Sequence, residues 1–235
     1  MDFKSILNKY AYSTELHAHT FPVSACAGLS ASEVVNIYKE TGVNSLVITN
    51  HLNPHWTDGT PSQKAEEYLS DYRLAKDAGG KDVNVILGVE IRFPENCNDY
   101  LVYGVCEDDL EHFISLIPYG IENFYKEVKN DKNVIIQAHP FREYMVLAPA
   151  HAIDGIETLN LCTFRNGKPS TSFQCAKENN FIVSGSSDFH HKGQQALCLM
   201  KTQSEMKDSY DVANALKSKD VVFDCSGHVV IPYIY

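Results

Sequence analysis

Short apolar, β-branched runs alternate along this chain with polar, helix-length segments, and this alternation limits the folds open to it. The run Val43 to Thr49 follows a helical stretch at 31–41 that Ser30 or Ser32 can cap and Gly42 can end. A helix near 62–78 leads to a single long strand, Val83 to Phe93. Further strands are expected at 14–19, 100–105, 133–138, 153–159, 181–185, 196–201 and 221–224, and helices near 108–117, 121–130, 170–179 and 205–219. Alternation of this kind predicts an α/β fold with a mostly parallel sheet. So many βα units favour a closed or nearly closed barrel. With 235 residues, 44% hydrophobic and 21% charged, the chain suits one large domain spanning 1–235.

Ionisable residues collect at the strand ends. Glu15-Leu16-His17-Ala18-His19-Thr20 holds an HxH pair whose imidazoles share one strand face and can reach one divalent cation. His51 ends Ile48-Thr49-Asn50-His51, Glu90 sits in Gly88-Val89-Glu90, and His139 lies in Gln137-Ala138-His139-Pro140. Asp188 and His190, in Gly185-Ser186-Ser187-Asp188-Phe189-His190, repeat the i, i+2 spacing of the HxH pair. Parallel barrels build their sites at such strand ends, so these seven donors are expected to converge. Glu90 stands in the apolar run Val85 to Ile91, where a bare carboxylate would cost several kcal/mol unless a cation or hydrogen bonds offset it. His55, His112, His151, His191 and His228 have no comparable setting and read as surface or core histidines.

The formal net charge of -10 argues against a nucleic-acid backbone as partner, whereas a small anionic substrate remains compatible if the site carries its own cations. Seven cysteines form no CxxC pair and read as free thiols of a reducing compartment. No signal-like leader and no run long enough to span a membrane are legible, so a cytoplasmic location without a membrane partner is expected. Residues 53–64, with two prolines, Gly59 and Trp56, read as an extended loop that could overhang a site.

The ordered motifs ELHAHT, TNH, GVE, QAHP and GSSDFH, spanning residues 15–190, resemble the PHP family, named for polymerase and histidinol phosphatase. The resemblance implies a distorted (β/α)7 TIM-like barrel and a stand-alone metal-dependent phosphoesterase. It further implies that His17, His19, Glu90 and Asp188 bind one metal, that Glu90 bridges to a second held by His139, and that His51 and His190 hold a third. Two or three divalent ions, zinc, manganese or iron, are therefore expected. They would supply a metal-bound hydroxide for attack on a small phosphomonoester, with histidinol phosphate and nucleotides both compatible. Glu90, His51 and His190 are the candidate catalytic residues, the last two as proton donors. Arg142 and Arg165 are the candidate substrate anchors.

Three departures from the family pattern stand out. Asn50 replaces an aspartate that would orient the His51 imidazole, Cys26 is the sole donor-type side chain in Pro22 to Ala27 and reads as a buried structural cysteine, and Asp99 is a weak substitute for a histidine absent from 98–103. Arg92 reads as facing away from Glu90 in a structural role. Two alternatives from other classes stay open, a metal-dependent amidohydrolase-type C-N hydrolase and a metal-holding barrel without catalysis. Oligomeric state has no legible signal.

Overall fold

The computed structural model describes residues 3–54, 59–162 and 167–233. Helix α1 (Phe3–Lys9) precedes strand β1 (Tyr12–Ala18), then α2 (Ala31–Thr41), β2 (Ser45–Ile48), β3 (His51–Leu52) and α3 (Pro61–Gly79) follow. Next come β4 (Asn84–Leu87), β5 (Val89–Arg92), β6 (Asp99–Tyr103), α4 (Asp109–Leu116), α5 (Gly120–Val128) and β7 (Val134–Gln137). The chain finishes with β8 (Gly155–Asn160), α6 (Pro169–Asn179), β9 (Ile182–Ser186), β10 (Cys198–Thr202), α7 (Ser209–Ser218), β11 (Val222–Cys225) and β12 (His228–Val230).

Helix limits follow the local chemistry. Ser30 precedes α2 and donates its N–H to Glu33 Oε2 at 2.9 Å, while Gly42 takes the left-handed conformation (φ 74°) that ends the helix. At α3, Thr60 and Gln63 bond each other's backbone N–H reciprocally and Pro61 fills the first helical position. Residues 55–58 of the expected 53–64 loop lie outside the described residues.

The strands form two six-stranded sheets, β12-β11-β10-β1-β2-β4 and β3-β5-β6-β7-β8-β9. Of the pairings among the described residues five are parallel and five antiparallel, which corrects the mostly parallel expectation. Connection length explains the difference. Residues 93–98 between β5 and β6 are too few for the dozen or so that a parallel crossover needs. Ser226 (φ 51°) and Gly227 (φ 87°) form a two-residue turn with both residues left-handed, the geometry that returns β11 as the antiparallel β12, a strand the sequence reading missed.

The expected strand 83–93 is two strands in different sheets. β4 pairs with β2 in the first sheet and β5 with β3 and β6 in the second. The change of sheet falls at Gly88, whose N–H donates to Ile48 O at 3.0 Å while Tyr68 Oη donates to Gly88 O at 2.7 Å. β2 and β3 cross beside it at Thr49-Asn50. A second junction ties the end of β1 to the segment after β9, with Phe189 N–H donating to His17 O at 3.0 Å and His19 N–H to Phe189 O at 2.9 Å. One hydrophobic cluster runs from Leu16 to Phe223, with Tyr38, Tyr68, Phe93, Phe124, Phe189 and Phe223 among its largest members. Among the described residues no helix is long and apolar enough to cross a membrane.

A Cβ at position 88 would lie 2.7 Å from Val47 Cγ1 and 3.0 Å from Thr49 Cγ2, so the crossing leaves no room for a side chain. Gly88→Val is expected to cost about 1–3 kcal/mol through overpacking, read as a lower denaturation midpoint at unchanged slope. An unchanged midpoint would show that the crossing does not need glycine.

Candidate metal centre

The junctions between the sheets bring the strand ends together. His17 and His19 leave β1 on one face with their Nε2 atoms 3.0 Å apart. Glu90 Oε1 lies 3.3 Å from both His17 Nε2 and His139 Nε2, and Oε2 lies 3.3 Å from His19 Nε2 and 3.0 Å from His51 Nδ1. Asp188 Oδ1 is 3.4 Å from His17 Nε2, His19 Nε2 and His190 Nδ1. The structure thus gathers all seven donors selected from the sequence into one cluster. His139 (φ 31°) and Asp188 (φ 51°) both hold left-handed backbone, a strain that concentrates at functional positions.

The donor set fits a cation better than it fits hydrogen bonding. Metal–ligand bonds of about 2.0–2.1 Å in a tetrahedral shell put neighbouring ligand atoms about 3.3–3.4 Å apart, the spacing seen around Glu90 and Asp188. Glu90 is fully buried, and among the described residues neither of its oxygens has a hydrogen-bond partner. A buried carboxylate so arranged loses its hydration without replacement unless a cation supplies it.

A layer of polar groups behind the cluster aims the imidazoles. His17 Nδ1 lies 3.2 Å from Glu157 Oε1, and Glu157 also accepts from His139 N–H (3.0 Å), Asn160 Nδ2 (2.7 Å) and the Ser186 hydroxyl. His19 Nδ1 meets Ser24 Oγ at 3.1 Å, and Ser24 donates to Asn50 Oδ1 at 2.8 Å. Asn50 Nδ2 donates in turn to Asp71 Oδ2 on α3 at 2.9 Å. Asn50 makes no hydrogen bond to the His51 ring, so its expected effect on His51 is corrected: it orients the Ser24 that holds His19, and the carboxylate behind it is Asp71. His139 Nδ1 is buried without a partner among the described residues, and its backbone N–H is tied to Glu157.

Charges within the cluster oppose burial. Burial would raise Glu90, but charged His17 and His51 hold its carboxyl well below the usual range. Burial likewise would raise Asp188, and His17, the bond to His19 and Arg142 hold it well below. Burial would lower His17 and His51, yet the facing carboxylates, Asp188 and Glu90 for His17 and Glu90 for His51, hold both well above an ordinary imidazole. His19 is held well below, by burial and by the charges of His51 and His190. These groups are packed to hold positive charge beside two carboxylates, and a divalent cation can take over that charge from the protons.

A cavity of about 410 Å³ opens on the cluster, with Pro22, Val23, Met145 and Asn53 in its wall. Several residues stand elsewhere than the sequence suggested. Cys26 is exposed in the cavity wall rather than buried, and contact with His190 and His51 overcomes burial to bring its thiol down to about 6. Asp99 is buried with an oxygen 3.9 Å from His139 Nε2, and it groups with His51 and Glu90 with donor atoms within 4.8 Å. Arg92 shares the Glu90 face, because residues two apart on a strand point the same way, and it lines the cavity. Arg142 is buried and spends Nη2 on Asp188 (2.6 Å) and Asn160. Arg165 lies outside the described residues. Glu157 went unnoticed, although an acid in the buried strand Gly155–Asn160 carries the signal that singled out Glu90. Cys162, whose sulfur groups with Asp188 and His190 within 4.8 Å, carried no such signal.

No family model matches the chain, and no curated protein matches it. Solved structures do match, at low identity. PsfC of Pseudomonas syringae superimposes with a TM-score of 0.63 at 14% identity, covering 86% of this chain and 87% of that one. A two-domain protein of Bacteroides vulgatus, containing a predicted PHP-like metal-dependent phosphoesterase, gives 0.56 at 16% identity over 90% of this chain. This chain spans 64% of that protein's length. An amidohydrolase of Chromobacterium violaceum gives 0.52 at 12% identity over 94% of this chain and 98% of that one. These likenesses establish a shared α/β fold.

Because His17 and His51 are held protonated without metal, ligation must strip their protons. Zinc binding to metal-free protein is therefore expected to release protons at neutral pH. Affinity should keep climbing between about pH 6 and 8, where ordinary imidazoles would be levelling off. Calorimetry in buffers of different ionisation enthalpy measures the release, and an affinity flat across that range would contradict the assignment.

Proposed function

We propose that the chain is a metal-dependent phosphoesterase of PHP type, a single domain on a distorted (β/α)7 barrel, that hydrolyses a small phosphomonoester. The observation that carries this reading is the buried Glu90 carboxylate, without hydrogen bonds among the described residues and enclosed by four imidazoles. The motif order from ELHAHT to GSSDFH and the fold shared with a predicted PHP-like phosphoesterase support it.

In this reading His17, His19, Glu90 and Asp188 hold one cation, and Glu90 and His139 a second. His51 and His190 either hold a third or serve the proton transfers. When bound, zinc, manganese or iron ions would acidify a water and neutralise charge on the phosphate. The chain's own residues do the rest. Glu157 and Ser24 fix the imidazoles of His17 and His19, so the donors need little rearrangement on loading. Arg142 steadies Asp188 through its Nη2, which makes it a positioning residue more than the free phosphate anchor the sequence suggested. His51 and His190, 19% and 18% exposed, are more open to the cavity than His139, the other imidazole in its wall, and are placed to protonate the leaving alcohol oxygen.

The fold shared with an amidohydrolase keeps C-N hydrolysis as a second reading. Phosphate chemistry is preferred because Glu90 stands where such barrels usually place a bridging lysine. No lysine lines the cavity among the described residues.

Protein stripped of metal and reloaded with manganese, zinc or iron(II) should turn over members of a phosphomonoester panel. Glu90→Gln should lower kcat/KM by about 100-fold or more together with metal content. A fully loaded protein with no turnover on any monoester would sink the proposal, and turnover of a C-N panel alone would transfer it to the amidohydrolase reading.

A further inference from the structure

We infer that Arg92 is the residue that captures the anionic group of the substrate, a tetrahedral oxyanion such as the phosphate of a monoester. This assignment rests on the phosphoesterase reading for its substrate, but its geometry is independent. β5 and β6 run antiparallel with Arg92 opposite Asp99, and both side chains lie on the Glu90 face. Arg92 Nε and Nη2 each donate to one Asp99 oxygen at 2.7 Å, a bidentate clasp that fixes the plane of the guanidinium. Asp99 is itself part of the donor cluster, 3.9 Å from His139 Nε2. The clasp therefore pins Arg92 to the edge of the centre.

The clasp leaves Nη1 without a hydrogen bond among the described residues, on a side chain 34% exposed in the cavity wall. The other described arginine of the cavity, Arg142, is 7% exposed and committed to Asp188 and Asn160. Arg142 keeps its Nε without a hydrogen bond among the described residues, but that atom is buried, so Arg92 is the described arginine of the cavity that offers a spare donor from an exposed side chain. An oxyanion entering a loaded cavity would be held by the cations of the donor cluster and by Arg92 Nη1, since both line the same cavity.

A purely structural Arg92 would only neutralise Asp99, and the two roles separate in one experiment. Zinc-loaded wild type and Arg92→Gln are compared for inorganic phosphate binding by calorimetry, for zinc content by elemental analysis, and for KM on whichever monoester is turned over. The expected result is phosphate affinity weaker by about 10- to 100-fold, a matching rise in KM, and full zinc content. Phosphate bound as tightly as by wild type overturns the inference, as does loss of zinc, which would mark Arg92 as a support for Asp99. Should Arg92→Gln fail to fold, Arg92→Lys keeps a charge for Asp99 while withdrawing the free donor, and weaker phosphate binding at full zinc is again required. Wild type that binds phosphate through Arg92 yet hydrolyses no monoester would overturn the phosphoesterase reading and leave this assignment standing. Intact hydrolysis with unaltered phosphate binding in Arg92→Gln would overturn this assignment alone.

Discussion

The centre is organised around one buried carboxylate, whose charge the surrounding imidazoles balance. Among the described residues Glu90 has no hydrogen bond to either oxygen, while His17, His19, His51 and His139 approach within 3.0–3.3 Å of it. Burying a carboxylate this way opposes folding by several kcal/mol, and positive charge on the surrounding imidazoles or a cation in their midst offsets it. A fold that carries such a cost at its centre is shaped by what the cost allows, here a cluster whose donors already stand at ligand spacing.

The two-sheet arrangement puts Glu90 there. Had residues 83–93 continued as one strand, Glu90 would have stayed in the sheet of β1, β2 and β4, with β6 and β7 unable to reach it. The passage at Gly88, accompanied by Thr49-Asn50, moves Glu90 and His51 into the second sheet, where they stand opposite each other in register. His17, in β1 of the first sheet, and His19, just past its end, meet them beside the bridge between Ala18 and Phe189. The site spans the seam between sheets, and its donors come from both.

Much of this was legible because the chemistry was periodic. The i, i+2 spacing of His17 with His19 and of Asp188 with His190, and an acid in an apolar run, are local signals, and the structure brings all seven residues together. The same spacing rule, applied to Glu90 and Arg92, would have put Arg92 in the cavity. What sequence could not show was set by pairing register and turns: the break at Gly88, the antiparallel β6, and the hairpin at Ser226-Gly227. Asp99 illustrates the point. In the sequence it reads only as a weak substitute for a missing histidine, and its place opposite Arg92 on the neighbouring strand is what carries it to the cluster.

The support behind the imidazoles also redistributes what a motif position means. Read alone, Asn50 in place of an acid predicts a poorly held His51. In the fold, a carboxylate is still present, on Asp71 of α3, and it reaches the cluster through Asn50 and Ser24 to His19. The amide suits this position because it can donate to Asp71 and Thr20 while accepting from Ser24, which an ionised aspartate cannot do. His51 is held instead by its ring contact with Glu90 and by its own N–H on the same Ser24 hydroxyl, at 3.0 Å. Ser24 thus serves two histidines, one past the end of β1 in the first sheet and one in β3 of the second, and a substitution there would disturb both, whereas a change at Asn50 is felt first at His19. The orienting carboxylate has moved from the strand to the covering helix, so the aim of the HxH pair depends on how α3 packs against the sheet.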